Sequence, residues 1–277
     1  MIFTVSAIHY KAGCYLLQDA ASHKTHEIMR EMDLKEKLER IPRGNTCKGV
    51  NRLVIERLLG ELPDRTQRTL LDVPCGNGEF LDTAAGFFPE METAGADLRE
   101  PVGDFTHRFI PFNGEKPSAL IGERFDVVTC ISGVMEFDNT LSFFEHVRTT
   151  LDNDGVFIVT NDNILSVRDR LMYLLSGRFG QYPFRAVRDG SAWKIVPAQN
   201  LVQLLDDAGF EVKDLEYVPV LGANWIWTVL ALPLFLIQAM RKSTAIERKI
   251  FTLRSFLSRH YVIVCRPTTN REPVAGL

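Results

Sequence analysis

TLLDVPCGNGEF, residues 69–80, reads as a buried strand, a glycine turn and the first turn of a helix. Leu70 and Leu71 form the apolar strand, which ends at Asp72. Pro74, Gly76, Asn77 and Gly78 make the turn. Phe80, Leu81, Ala84 and Ala85 then recur at helical spacing. Glycines at 76 and 78 carry no Cβ, so a ligand can approach the backbone closely. The helix behind them presents its first N–H groups toward the same point.

A dinucleotide fingerprint requires glycine or alanine three residues after Gly78, and Leu81 stands there. A second strand, Glu92–Leu98, instead carries Asp97 near its end, where a carboxylate can accept hydrogen bonds from both ribose hydroxyls. With these residues the chain resembles the class I S-adenosylmethionine-dependent methyltransferases, over roughly residues 50–215. The resemblance implies an α/β, Rossmann-like seven-stranded fold and S-adenosyl-L-methionine as cofactor. It puts Asp72 near the methionine ammonium and Asp97 on the ribose. Cys75, Gly76, Asn77 and Gly78 would line the turn.

The rest of the chain supplies further strands. Arg108–Phe112 is a short third strand before Asn113-Gly114. Asn113 has two readings: an amide oxygen for the adenine amino group, as the resemblance suggests, or a plain turn residue. Phe125–Ile131 is a β-branched fourth strand ended by Ser132-Gly133, with Ser132 a further cofactor contact. Relatives often carry Glu-His just beyond, and here the pair is Glu136-Phe137. Glu136 is therefore a candidate base, or a carboxylate that satisfies backbone donors. Leu141–Leu151 is a helix, and its lone His146 receives no role. Asn153-Asp154-Gly155 reads as a turn, and Val156–Thr160 as a fifth strand. Asn161 and Asp162, at its carboxyl end, would face the ligand crevice as base or orienting groups.

Asn161–Tyr182 also resembles a segment of bacterial methyltransferases from cell-envelope glycan and lipid pathways. Those continue into a histidine motif, replaced here by Ala192-Trp193-Lys194. Pro197–Gly209 is an amphipathic helix, and Glu211–Val220 and Tyr261–Cys265 are the last two strands, paired as an antiparallel hairpin.

Between those strands lies a helical insertion, residues 221–260. Positions 217–240 hold no charged residue, and six basic residues against one acid follow in 241–260. A spanning helix needs about twenty apolar residues. This run is interrupted by Pro233 and Gln238 and lies between two strands of one sheet. A helix lying on a membrane surface, a buried helix and a dimer interface all remain open.

The chain has 277 residues, 45% hydrophobic and 24% charged, with a net charge of −3. Such a balance gives no global attraction to nucleic acid. Cysteines at 14, 47, 75, 130 and 265 show no pairing intervals and no zinc spacing, so a reducing compartment and no metal are expected. No signal peptide is legible, and the expected location is cytoplasmic, peripheral to the membrane's inner face if the insertion binds lipid. The organisation expected is an N-terminal helical cap (1–60), a methyltransferase core (61–220), the insertion (221–260) and a last strand with tail (261–277). A charge-rich helix over 18–40 and a second over Thr46–Leu59 build the cap. The acceptor is a lipid, quinone-like or lipid-linked glycan molecule, or else a soluble small molecule. A cofactor-binding module without turnover is the remaining reading.

Overall fold

The computed structural model describes residues 32–62, 68–113, 120–179, 194–218, 225–240 and 244–268. The expectations for 1–31, Gly114 and Ala192-Trp193 lie outside them.

The chain divides into two units, Met1–Ile41 and Pro42–Leu277. In the first, helix α1 covers 32–39 and carries an i,i+4 ion pair between Glu36 and Arg40. The second holds everything else, including helix α2 (Val50–Glu61), which the sequence grouped with the cap. Its Val50, Val54, Ile55 and Leu58 are wholly buried, and α2 packs on strands Leu151–Asp162 and His260–Pro267 and on helix Glu79–Phe87 of the second unit.

Seven strands form one sheet in the order β3-β2-β1-β4-β5-β7-β6. These are β1 (Thr69–Asp72), β2 (Glu92–Asp97), β3 (Arg108–Pro111), β4 (Phe125–Cys130), β5 (Leu151–Asp162), β6 (Phe210–Tyr217) and β7 (His260–Pro267). β1 to β5 pair in parallel, while β7 runs antiparallel to both β5 and β6. The apolar runs Leu70–Leu71, Val127–Val128 and Val156–Val159 are buried, as strands covered by helices on both faces must be. Among the helices, α2 meets α3 (Glu79–Phe87), and α4 (Thr140–Thr150) meets α6 (Ala198–Asp207). α3 starts at Gly78 with Glu79 and Asp82 in its first turn, where acids complement the helix dipole. Phe143, Phe144, Phe157 and Phe210 run through the main core in tilted and edge contacts.

One local reading is corrected. Asn153-Asp154-Gly155 does not end a turn before β5 but lies inside it. Pairing shifts between Phe125↔Leu151 and Val127↔Val156, so β5 advances further than β4 and absorbs the turn residues as an irregularity.

Within the insertion, α7 (Trp225–Ala239) is followed by α8 (Ala245–Ile250) and α9 (Leu253–Leu257). α5 (Val167–Ser176), α7 and α9 share a small satellite core of Val167, Ala231 and Phe256. No helix among the described residues is long and apolar enough to cross a membrane.

Candidate functional site

The parallel strands β1, β2 and β4 end side by side, and the order in which successive strands are added reverses between β1 and β4. Open α/β sheets bind ligands at such a switch point. A crevice of about 210 Å³ lies there. The glycine turn and Asp97 form one wall, and Ile131, Ser132 and Glu136 another. Gly44, Asn45 and Thr46, from the segment before α2, complete the lining.

Asp97 and the turn are tied together. Gly76 N–H donates to Asp97 Oδ2 at 2.9 Å, and Arg99 N–H to Oδ1 at 3.1 Å. A carboxylate has about four acceptor positions, so two remain for ribose hydroxyls. Gly76 has φ +53°, and a Cβ built on it meets nothing within 4 Å, which leaves its exposed face open toward a ligand.

Gly78 behaves differently. Its φ is +85°, and a Cβ there would lie 2.8 Å from the Phe105 ring. Close packing of the 98–106 loop, not contact with the crevice, requires this glycine. Asn77 lines the crevice, yet its Oδ1 accepts the Val102 N–H at 3.0 Å and holds the same loop. The Cys75 side chain turns against Gly95 of β2, and burial pushes its thiol up to about 12.

Asp72 is 2% exposed and accepts a hydrogen bond from Thr129 Oγ1 at 2.7 Å. Desolvation raises its carboxyl to about 7, outweighing the Thr129 bond, and the Asp97 charge adds to the rise. A cationic ligand group is the partner such a carboxyl lacks. Glu136 stands exposed at the rim in a 3-10 turn (Val134–Glu136). Partial desolvation, then the Asp97 charge, hold it above the usual carboxylate range. No backbone donor among the described residues reaches its side chain.

Ser132 is a non-glycine residue with φ +55°, a conformation that costs on the order of 1–3 kcal/mol. Three hydrogen bonds hold it. Its N–H donates to Thr160 Oγ1 at 2.9 Å, and its Oγ lies 2.7 Å from Thr46 Oγ1 and 3.3 Å from His260 Nε2.

Three other sequence candidates lie away from the crevice lining. Asn161 is wholly buried and donates Nδ2–H to Val196 O at 3.0 Å, while its Oδ1 has no partner. Asp162 turns to His260, with Oδ1 at 3.0 Å from Nδ1. Asn113 follows Phe112, whose N–H donates to Asp97 O at 2.8 Å, but does not itself line the site. The alternation of β5 explains the first two: residues past Thr160 point into packing and toward β7. Sequence reasoning missed Thr46 and His260. The first sat in a presumed cap, and the second comes into place only through the β5–β7 register.

A doubly wound sheet with an acid-ended second strand and a glycine turn at its switch point defines a nucleoside-cofactor enzyme. The family described as "Methyltransferase domain" matches residues 45–215, and the chain belongs to it. An uncharacterized protein of Methanocaldococcus jannaschii is 24% identical over 155 residues, covering 53% of this chain and 59% of that one. The chain thus spans less than two thirds of that relative. The 1,6-didemethyltoxoflavin-N1-methyltransferase of Burkholderia thailandensis, solved with 1,6-didemethyltoxoflavin and S-adenosylhomocysteine, shares the fold. Its TM-score is 0.50 at 16% identity, over 91% of this chain and 89% of that one. A SAM-dependent methyltransferase of Archaeoglobus fulgidus gives a TM-score of 0.48 at 18% identity, over 79% and 95%.

The cofactor that the sequence resemblance implies is S-adenosylmethionine. The residues present fit it: Gly76 leaves its close-approach face open, Asp97 keeps two acceptor positions, and buried Asp72 lacks a cation.

Proposed function

We propose that this methyltransferase acts on an acceptor held at an anionic membrane surface, of the lipid, quinone-like or lipid-linked glycan class. The observation that carries the reading is the exposure of α7. Ile226, Val229, Leu232, Leu236 and Ile237 are each about half exposed or more, and Leu174 and Leu175 of neighbouring α5 are more than three-quarters exposed. An apolar surface of this extent calls for a cover. Arg248, Lys249, Arg254 and Arg259 follow on the exposed side, which suits anionic headgroups at about 1 kcal/mol per charge. Strand direction supports the reading: β6 runs parallel to β5, so the insertion leaves and returns at the carboxyl ends of the parallel strands, the end of the sheet where the crevice opens. The likeness of Asn161–Tyr182 to envelope-pathway methyltransferases points the same way.

The bound cofactor would supply an electrophilic sulfonium methyl group. The chain then has to orient, exclude water and place charge. Asp97 would take the ribose hydroxyls, and Asp72 the methionine ammonium. Gly76 admits the cofactor against the turn. Glu136, at the rim with a raised pKa, would orient the acceptor and receive its proton if the nucleophile is a hydroxyl.

Co-sedimentation with vesicles of mixed neutral and anionic lipid tests the reading. Binding should weaken with salt. Replacing Val229, Leu232 and Leu236 together with serine should release the protein while S-adenosylhomocysteine still binds. Wild-type protein that ignores vesicles and elutes as a tight dimer would instead make α7 an interface between copies.

A further inference from the structure

His260, Asp162 and Cys47 belong to three separate parts of the chain, yet each offers one ligand atom within 4.8 Å of the other two. They bring an imidazole, a carboxylate and a thiol to one point beside the crevice. We propose that they form a divalent-metal site of the zinc type, which clamps the segment before α2 onto β5 and β7.

The chemistry of the donors selects the ion. Nitrogen, sulfur and one oxygen suit zinc and exclude magnesium or calcium, which want oxygen alone. Asp162 Oδ1 and His260 Nδ1 are already 3.0 Å apart. Tetrahedral zinc holds such ligand atoms roughly 3.3–3.6 Å apart, so the Asp162–His260 pair would open slightly while all three atoms stay within the 4.8 Å they already span.

The far nitrogen of the ring supports the assignment. His260 Nε2 has the Ser132 and Thr160 hydroxyls at 3.3 Å each. Metal-bound histidines fix their tautomer by donating the other N–H to such an oxygen. A ring donating there turns the Nδ1 lone pair toward the Asp162 carboxylate. A positive charge, the ring's second proton or a metal ion, then joins the two acceptors.

Cys47 differs from the other described cysteines. Cys75, Cys130 and Cys265 are buried, whereas Cys47 is half-buried and offers its Sγ within 4.8 Å of the Asp162 and His260 ligand atoms. Its neighbour Thr46 lines the crevice and shares a hydrogen bond with Ser132. Locking Cys47 in place would therefore hold one wall of the cofactor crevice. Three protein ligands leave a fourth position for water.

The test uses the full chain purified without chelator. Elemental analysis should find one zinc per chain. Cobalt(II) added to chelator-treated protein should give a thiolate charge-transfer absorption, which Cys47→Ser abolishes. Asp162→Asn and His260→Gln should each weaken zinc binding by about tenfold or more. Zinc should also protect Cys47 from iodoacetamide, as located by mass spectrometry, and this wild-type measurement decides the matter if the His260 variant fails to fold. Absent cobalt absorption with equal alkylation in the presence and absence of zinc would overturn the site, as would stoichiometric zinc in Cys47→Ser. An S-adenosylhomocysteine titration of the same samples keeps the questions apart, because cofactor binding without zinc removes only the clamp.

Discussion

Gly76 N–H and Asp97 Oδ2 meet at 2.9 Å and join the end of β2 to the turn after β1. One carboxylate therefore shapes the turn and lines the crevice. Asp97→Ala should weaken S-adenosylhomocysteine binding by roughly 1–3 kcal/mol, since a charged acceptor for hydroxyl groups is lost. Isothermal titration measures this. Unchanged affinity would remove Asp97 from the site.

The two turn glycines should fail in different ways. A side chain at Gly76 meets open crevice, so Gly76→Val should abolish cofactor binding with a modest loss of stability from the left-handed backbone, about 1–2 kcal/mol. Gly78→Val collides with the Phe105 ring and should lower the urea midpoint clearly further. Equal unfolding curves for the two variants would contradict this division.

Asp72 predicts a pH dependence with a definite sign. Its carboxyl titrates near 7 in the fold against an ordinary 3.8, so between those values the folded state keeps a proton that the unfolded chain has lost. Its contribution to stability therefore falls as pH rises from about 4 to 7. Cofactor binding runs the other way, because an ammonium beside Asp72 favours the ionised form. Affinity for S-adenosylhomocysteine should drop as pH falls below 7, by up to about tenfold per unit. Titrations at several pH values should show this slope in wild type and a flatter one in Asp72→Asn.

Phe157 is wholly buried, with Phe144 and Phe210 at ring distances of 5.8 and 5.2 Å. Phe157→Ala should destabilise the fold by about 3–5 kcal/mol, read by urea unfolding. A loss below 1 kcal/mol would mean that the aromatic run can collapse around the gap.

The parts legible in the sequence are those fixed by short-range pattern. The β1 strand, the 76–78 turn and the α3 helix follow from residue spacing within one stretch, and Asp97 from the strand after it. The direction of a glycine's missing side chain is not a local property, which is why Gly76 and Gly78 looked alike. Asn153-Asp154-Gly155 carries true turn chemistry, yet the strand continues through it as an irregularity, because Leu151 before it and Val156 after it both pair with β4. The placing of Asp162 opposite His260 depends on an antiparallel register set by the whole β7 ladder. No spacing within either strand announces it.

That same ladder orders the events of biosynthesis. β7 lies between β5 and β6, so β6 has no native partner strand when it first leaves the ribosome. Until the 260–267 segment emerges, the exposed side of β5 also stays unpaired, although β1 to β5 can already assemble. The nascent protein thus carries two open strand edges and an apolar α7 at the same moment. That interval, more than the finished fold, is where a chaperone or an early lipid contact would protect it.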